Sequence, residues 1–134
     1  MKILSELMSG LEADYNPDYW SDNVKTEMGG LIDQLSEAEW AELLDSWKYQ
    51  SHIWHRNFAD AAFLSDKERV VPLLIDMLRS QEAAVGAAVA RTLVEKAYFW
   101  DPEVDLVTDL KRHLKSASEI EKVDLQALLN RLPH

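Results

Sequence analysis

The sequence predicts an all-α fold. Apolar residues recur at three-to-four spacing along almost the whole chain, no stretch sustains the alternation of a strand, and helix-start signatures punctuate the pattern. With 134 residues, 47% of them hydrophobic, the chain can bury one sizeable core and is short for two ordinary domains, so a single domain over 1–134 is expected.

Ile3, Leu4, Leu7, Met8 and Leu11 make one stripe and predict a first helix. Asn16-Pro17-Asp18 then supplies a cap, a proline suited to the first helical position and an acid for the helix dipole. Trp20, Val24, Met28, Leu31, Ile32 and Leu35 continue the spacing, with a break or kink expected at Gly29-Gly30. Ser36-Glu37-Ala38-Glu39 is a capping-box signature and starts a third helix, whose stripe is Trp40, Leu43, Leu44 and Trp47. Trp54, Phe58, Ala61 and Ala62 extend it, as one long helix or as two with a bend near Tyr49 to Ser51.

Ser65-Asp66-Lys67-Glu68 repeats the capping box before Val70, Val71, Leu73, Leu74, Met77 and Leu78, and Pro72 is expected to kink that helix. Ala84, Val85, Ala88, Val89, Thr92 and Leu93 predict a narrow, small-residue face for close helix contact. Asp101-Pro102-Glu103 is a further cap, followed by Val104, Leu106, Val107, Leu110 and Leu114. After a turn at Ser116 to Ser118, the last stripe is Ile120, Val123, Ala127, Leu128 and Leu132.

Residues 66–98 thus read as a proline-bearing helix with P-L-L, a polar turn, and a second helix with V-x-x-A-V-x-x-x-L, an order that recurs loosely at 37–64 and 103–132. The period of 33 to 38 residues is that of stacked helical hairpins. RVVPLLIDMLRSQEAAVGAAVARTLVEKA resembles one HEAT repeat, with Pro72 at the proline kink and Val85, Ala88 and Leu93 on the packing face of the second helix. The flanking units match less closely, since the first is tryptophan-rich without the proline and the third has Pro102 only at its start. The resemblance implies a short right-handed superhelix of HEAT-like hairpins used as a binding scaffold, the alternative being an irregular helical bundle.

Charge is unevenly spread. Residues 1–46 hold eleven acids against Lys2 and Lys25, a net of −9 out of −10 for the whole chain. Such a field disfavours nucleic acid and favours a basic protein partner, although an acidic bias also serves solubility. The absence of cysteine excludes disulfides, thiolate metal sites and a cysteine nucleophile. Glu6 interrupts the N-terminal apolar run, no segment reaches the roughly 18 apolar residues of a membrane span, and a cytoplasmic location without membrane contact is expected.

Residues 47–58, WKYQSHIWHRNF, concentrate the side chains most suggestive of chemistry. His52 and His55 at i, i+3 could share a metal, but a third ligand is wanting, since Asp60 lies more than a turn beyond His55. No metal or cofactor is expected. Glu37, Glu39, Glu42 and Asp45 read as a solvated helix face, and no nucleophile elbow or phosphate-cradling glycine loop is present, so no enzymatic activity is expected. Trp40, Trp47 and Trp54, seven residues apart, stay near one face with a drift of about 20° per step and read as core. Aromatic residues beside acids at helix ends, Tyr15, Tyr19, Trp20, Tyr98, Phe99 and Trp100, could instead anchor an interface.

A small, acidic, cysteine-free helical chain is similar in profile to toxin-immunity proteins, which implies occlusion of a basic toxin such as a nuclease. The interface expected on that basis comprises Asp14, Asp18, Tyr19 and Asp22, then Glu37, Glu42 and Asp45. His52 and His55 complete its middle, and Tyr98, Trp100 and Asp101 its second half. The alternative function is a HEAT-like adaptor or regulatory subunit that takes a neutral protein or peptide in its groove.

Overall fold

The computed structural model describes residues 1–96 and 104–132, which are all-α, with no strand among them. Two units are distinguished, Met1–Lys67 and Glu68–His134.

In the first unit, α1 (Lys2–Leu11) buries Leu4, Leu7 and Leu11. Asn16 caps α2 (Pro17–Tyr19), its Oδ1 accepting from the Asp18 and Tyr19 amides at 2.9 and 3.4 Å, with Pro17 at the first position. A π-helical turn, Trp20–Val24, leads into α3 (Lys25–Gln34). The expected break at Gly29-Gly30 is absent and α3 runs through both residues. Gly29 instead lets α3 approach the chain at Ala61 to Leu64, where an added Cβ would lie 3.0 Å from Leu64 Cβ and 3.1 Å from the Ala61 carbonyl oxygen. The irregularity sits upstream, in the π turn.

Ser36 caps α4 (Glu37–Ser46) through the expected capping box, with Glu39 N–H donating to Ser36 Oγ and Ser36 N–H to Glu39 Oε1, both at 3.1 Å. The second oxygen of Glu39 accepts from the Leu4 amide at 2.9 Å, one of the donors that the start of α1 leaves unpaired. One carboxylate therefore serves two helix starts. It also turns the inward arc of α4 toward Glu39, Trp40 and Leu43, which leaves Leu44, expected in the stripe, 44% exposed.

The chain then takes a single 3-10 turn, Trp47–Tyr49, and restarts as α5 (His52–Ala61), whose cap Ser51 accepts from Trp54 N–H at 3.1 Å. Two helices with a bend is thus the form adopted. α5 is the core of this unit: Trp54 stacks on Phe58 at 5.4 Å, Trp40 approaches Phe58 at 6.5 Å, and Trp40, Trp47 and Trp54 are all buried. The backbone of α5 runs closest to α1 and α3, and it meets α4 through that Trp40–Phe58 contact.

The expected capping box at Ser65 does not form. Ser65 Oγ donates to the Asp33 carboxylate and accepts from Lys67 N–H at 3.2 Å, while the next helix starts only after Arg69. In the second unit that helix, α6 (Val70–Ser80), carries Pro72 as its third residue. A first-turn proline sacrifices an N–H that a helix start leaves unpaired anyway, so the expected mid-helix kink gives way to a helix start.

α7 (Ala83–Glu95) is buried on nearly every side, at Val85 to Ala90 as well as Thr92 and Leu93, where a narrow face was expected. The cause is that α7 packs both on α6 and on a later helix. α8 (Val107–Ser116) buries Leu110 and His113, and a capping box at Ser118 opens α9 (Glu119–Arg131). α6 with α7 and α8 with α9 form hairpins, α9 lying most extensively against α7. The buried face of α9 is Leu125, Leu128 and Leu129, followed by Leu132. Ile120 and Val123, expected in that stripe, are 83% and 68% exposed, because at about 100° per residue they and Ala127 fall on the opposite side. The cap expected at Asp101 to Glu103 lies outside the described residues.

The neighbouring glycines of α3 should respond oppositely to alanine. Gly29→Ala forces its Cβ on backbone and should cost about 1–3 kcal/mol in urea denaturation. At Gly30 an added Cβ meets only Gln34 Nε2 at 3.8 Å, so Gly30→Ala should stabilise by about 0.5–1 kcal/mol.

Hydrogen bonds from the Ser36 and Leu4 backbone hold the Glu39 carboxyl below the ordinary glutamate range, partly offset by burial. A depressed carboxyl stabilises the fold above the unfolded-state pKa, about 4.3, and loses that contribution as pH falls through the folded value. The stability deficit of Glu39→Gln should therefore be steady from neutral pH down to about 5 and shrink at more acidic pH in parallel denaturation curves.

Candidate functional site

Acids in the first unit divide into two sets. Glu39 serves helix starts, Asp33 takes Ser65 Oγ and the Asp66 amide, and Asp60 accepts from Trp20 Nε1 at 2.6 Å and Lys25 Nζ at 3.3 Å. Asp14 pairs with Arg56 at 3.2 Å on the surface. Glu12, Asp18, Asp22, Glu27, Glu42 and Asp45 make no ion pair with any described residue. The first set is structural. The second faces solvent as uncompensated negative charge.

An open groove of about 500 Å³ in this unit is bounded by α1, α2, the π turn and α3. Ser5, Glu6, Ser9 and Gly10 supply the α1 wall, Glu27 and Met28 the α3 wall, and Tyr15, Tyr19 and Val24 the remainder. Its volume falls within the roughly 300–1,000 Å³ of ordinary small-ligand sites.

The aromatic part is built outward from a buried anchor. Asp60 fixes the Trp20 indole, Tyr15 stacks on Trp20 at 5.7 Å, and Tyr19 stacks on Tyr15 at 6.0 Å with their planes 19° apart. Tyr15 is tied a second time, its hydroxyl donating to the Gly10 carbonyl at 2.8 Å. The outermost ring, Tyr19, is 53% exposed. The packing of Gly10 is equally close, since an added Cβ would meet Met28 Sδ at 2.4 Å. Flat π faces beside the Glu6 and Glu27 carboxylates attract a cation, by ring quadrupole and by charge. Among the described residues Glu6 is held only by Lys2, at 4.0 Å between exposed side chains, a pair of little energetic weight.

Of the residues expected at an interface, Tyr19 lines this groove, and Asp18 and Asp22 flank it along the chain as exposed acids. Glu37, Glu42 and Asp45 are exposed on α4, and Asp14 is half-engaged by Arg56. His55 is corrected: it is buried, and its Nε2–H donates to the Trp47 carbonyl at 2.7 Å, closing the end of the preceding turn. His52 is exposed, with its ring 6.2 Å from that of His55. Within residues 47–58, then, Trp47, Trp54, His55, Asn57 and Phe58 are interior, and Lys48, His52 and Arg56 are surface. Tyr98, Trp100 and Asp101 lie outside the described residues.

Ser5, Glu6, Ser9 and Glu27 were not anticipated as site residues. Ser5 and Ser9, one turn apart on the polar face of α1, were the available signal, but nothing in their spacing says which helix stands opposite. Among the described residues no group of three or more His, Cys, Asp or Glu could hold a metal ion, and no helix is long and apolar enough to cross a membrane. Comparison with protein-family models, with curated proteins and with solved structures finds no match to this chain.

Because Asp60 holds the inner end of the ring stack, Asp60→Ala should cost about 1–3 kcal/mol and alter the aromatic circular dichroism. Asp60→Asn retains an acceptor for the indole and should lose less on both measures.

Proposed function

We propose that this chain is a non-enzymatic binding protein whose N-terminal unit docks a basic protein partner, most concretely as an immunity protein that occludes a bacterial toxin. The supporting observation is the division of acids: those with internal partners leave Asp18, Asp22, Glu27, Glu42 and Asp45 as exposed charge with no cation paired to them among the described residues. Uncompensated charge on one side of a binding protein steers oppositely charged partners and raises the association rate. Occlusion would follow from acidic side chains pairing with the lysines and arginines that a nuclease uses on substrate phosphates.

A second reading, a HEAT-like adaptor, is favoured by the stacked hairpins α6/α7 and α8/α9 in the C-terminal unit. Such a scaffold would take a neutral protein or peptide in its groove and owe little to the acidic unit.

Ionic strength separates the two. Docking of a basic partner should lose on-rate steeply between 50 and 500 mM salt as a chosen range, and the combined variant Asp18→Lys, Asp22→Lys, Glu42→Lys, Asp45→Lys should slow association about tenfold or more with unfolding little changed. Coexpression with the product of the adjacent reading frame tests the toxin reading directly. Copurification with loss of toxicity is expected, and a neighbour that is harmless alone would sink it.

A further inference from the structure

We propose that the groove between α1 and α3 receives one arginine side chain from the partner. This rests on the reading of the N-terminal unit as the docking side for a basic protein, and it adds the anchor. Three features select arginine over lysine. Tyr15 stacks on both Trp20 and Tyr19, so the π surface left open is the flat face of the half-exposed Tyr19 rather than the crossed rings of a cage for a round ammonium. A guanidinium is planar, stacks on such a surface, and is more weakly hydrated than an ammonium.

Carboxylates Glu6 and Glu27 come from opposite walls, an arrangement that suits donors spread along a fork better than the single point of an ammonium nitrogen. Ser5 and Ser9 add hydroxyl oxygens on the α1 wall, acceptors for the remaining N–H groups. The site is also held in shape before any ligand arrives. Tyr15 is fixed by the Gly10 carbonyl and by stacking on Trp20, so the rings need little ordering on binding.

The test is a two-dimensional NMR titration of the full chain with blocked Gly-Arg-Gly, Gly-Lys-Gly and Gly-citrulline-Gly tripeptides, the last an uncharged isostere of arginine. Saturable shifts are expected at Gly10, Tyr19, Glu27 and the Trp20 indole N–H, with arginine binding at least threefold tighter than lysine and citrulline without effect. Tyr19→Ala should weaken the arginine peptide about two- to fivefold and Glu27→Gln about fivefold. Asp76→Asn, on the exposed side of α6, should leave it unchanged.

Equal affinity for arginine and lysine, shifts spread over the whole acidic unit, or binding that survives the Tyr19→Ala, Glu27→Gln double variant in a chain that still folds would overturn the anchor. Failure of the two readings is distinguishable. A basic partner that binds through Glu42 and Asp45 while the arginine peptide does not would remove the anchor and leave the docking reading standing. Arginine-selective binding in the groove with no association of any basic protein would do the reverse.

Discussion

Short helices are governed by their ends. A ten-residue helix such as α1 or α5 leaves four amides and four carbonyls without partners inside the helix, so the unpaired groups rival the paired ones in number. Buried, each would cost free energy comparable to a lost hydrogen bond. Several long-range polar contacts in this chain answer that constraint. Glu39 takes the Leu4 amide at the start of α1, and Asn57 Nδ2 gives to the Leu11 and Ala13 carbonyls at its end, both at 3.0 Å. His55 closes the turn after α4 at Trp47, and in the second unit His113 Nε2–H donates to the Leu78 carbonyl in the last turn of α6 at 2.6 Å. Gly86 makes room for that ring, with a hypothetical Cβ only 2.9 Å from His113 Cδ2. Apolar stripes bring these helices together, and the polar bridges decide how far along one another they lie.

The same constraint explains what could and could not be read from the residue order. Helix existence was legible, because three-to-four spacing and capping boxes at Ser36 and Ser118 are local signals with local causes. The buried side of α9 was not. Ile120, Val123 and Ala127 share helical spacing with one another just as Leu125, Leu128 and Leu132 do, and only the position of α7 chooses between the two sets. Ser65 failed as a cap for a related reason: its hydroxyl had a competing acceptor in Asp33, thirty-two residues earlier in sequence. Pro72 constrains the backbone at a helix start rather than mid-helix, and a proline in either place looks alike in sequence until the start is known.

The candidate site was legible at the level of charge and not of residue. The N-terminal excess of acid was evident, yet sequence could not tell a carboxylate that holds the fold from one that faces outward. Asp60 and Asp22 are indistinguishable as letters. In three dimensions the first anchors an indole and a lysine, and the second is exposed without an ion pair among the described residues. The histidines of residues 47–58 show the same ambiguity in reverse, for His55 was counted as surface and is spent on a backbone carbonyl. A residue type that looks like chemistry is often needed first as a plug for an open helix end.

The π turn at Trp20–Val24 carries a geometric implication for the groove. A π-helical turn holds more residues than an α-helical one, so whatever precedes it is rotated relative to the helix that follows. Each residue of an α-helix advances the azimuth by about 100°. Shortening this turn by one residue would therefore swing Tyr19 around the axis of α3 and away from the Glu27 and Met28 wall, with every side chain of the groove still encoded. The orientation of the ring stack is written in the length of a loop of backbone, and substitutions alone would leave that determinant unseen.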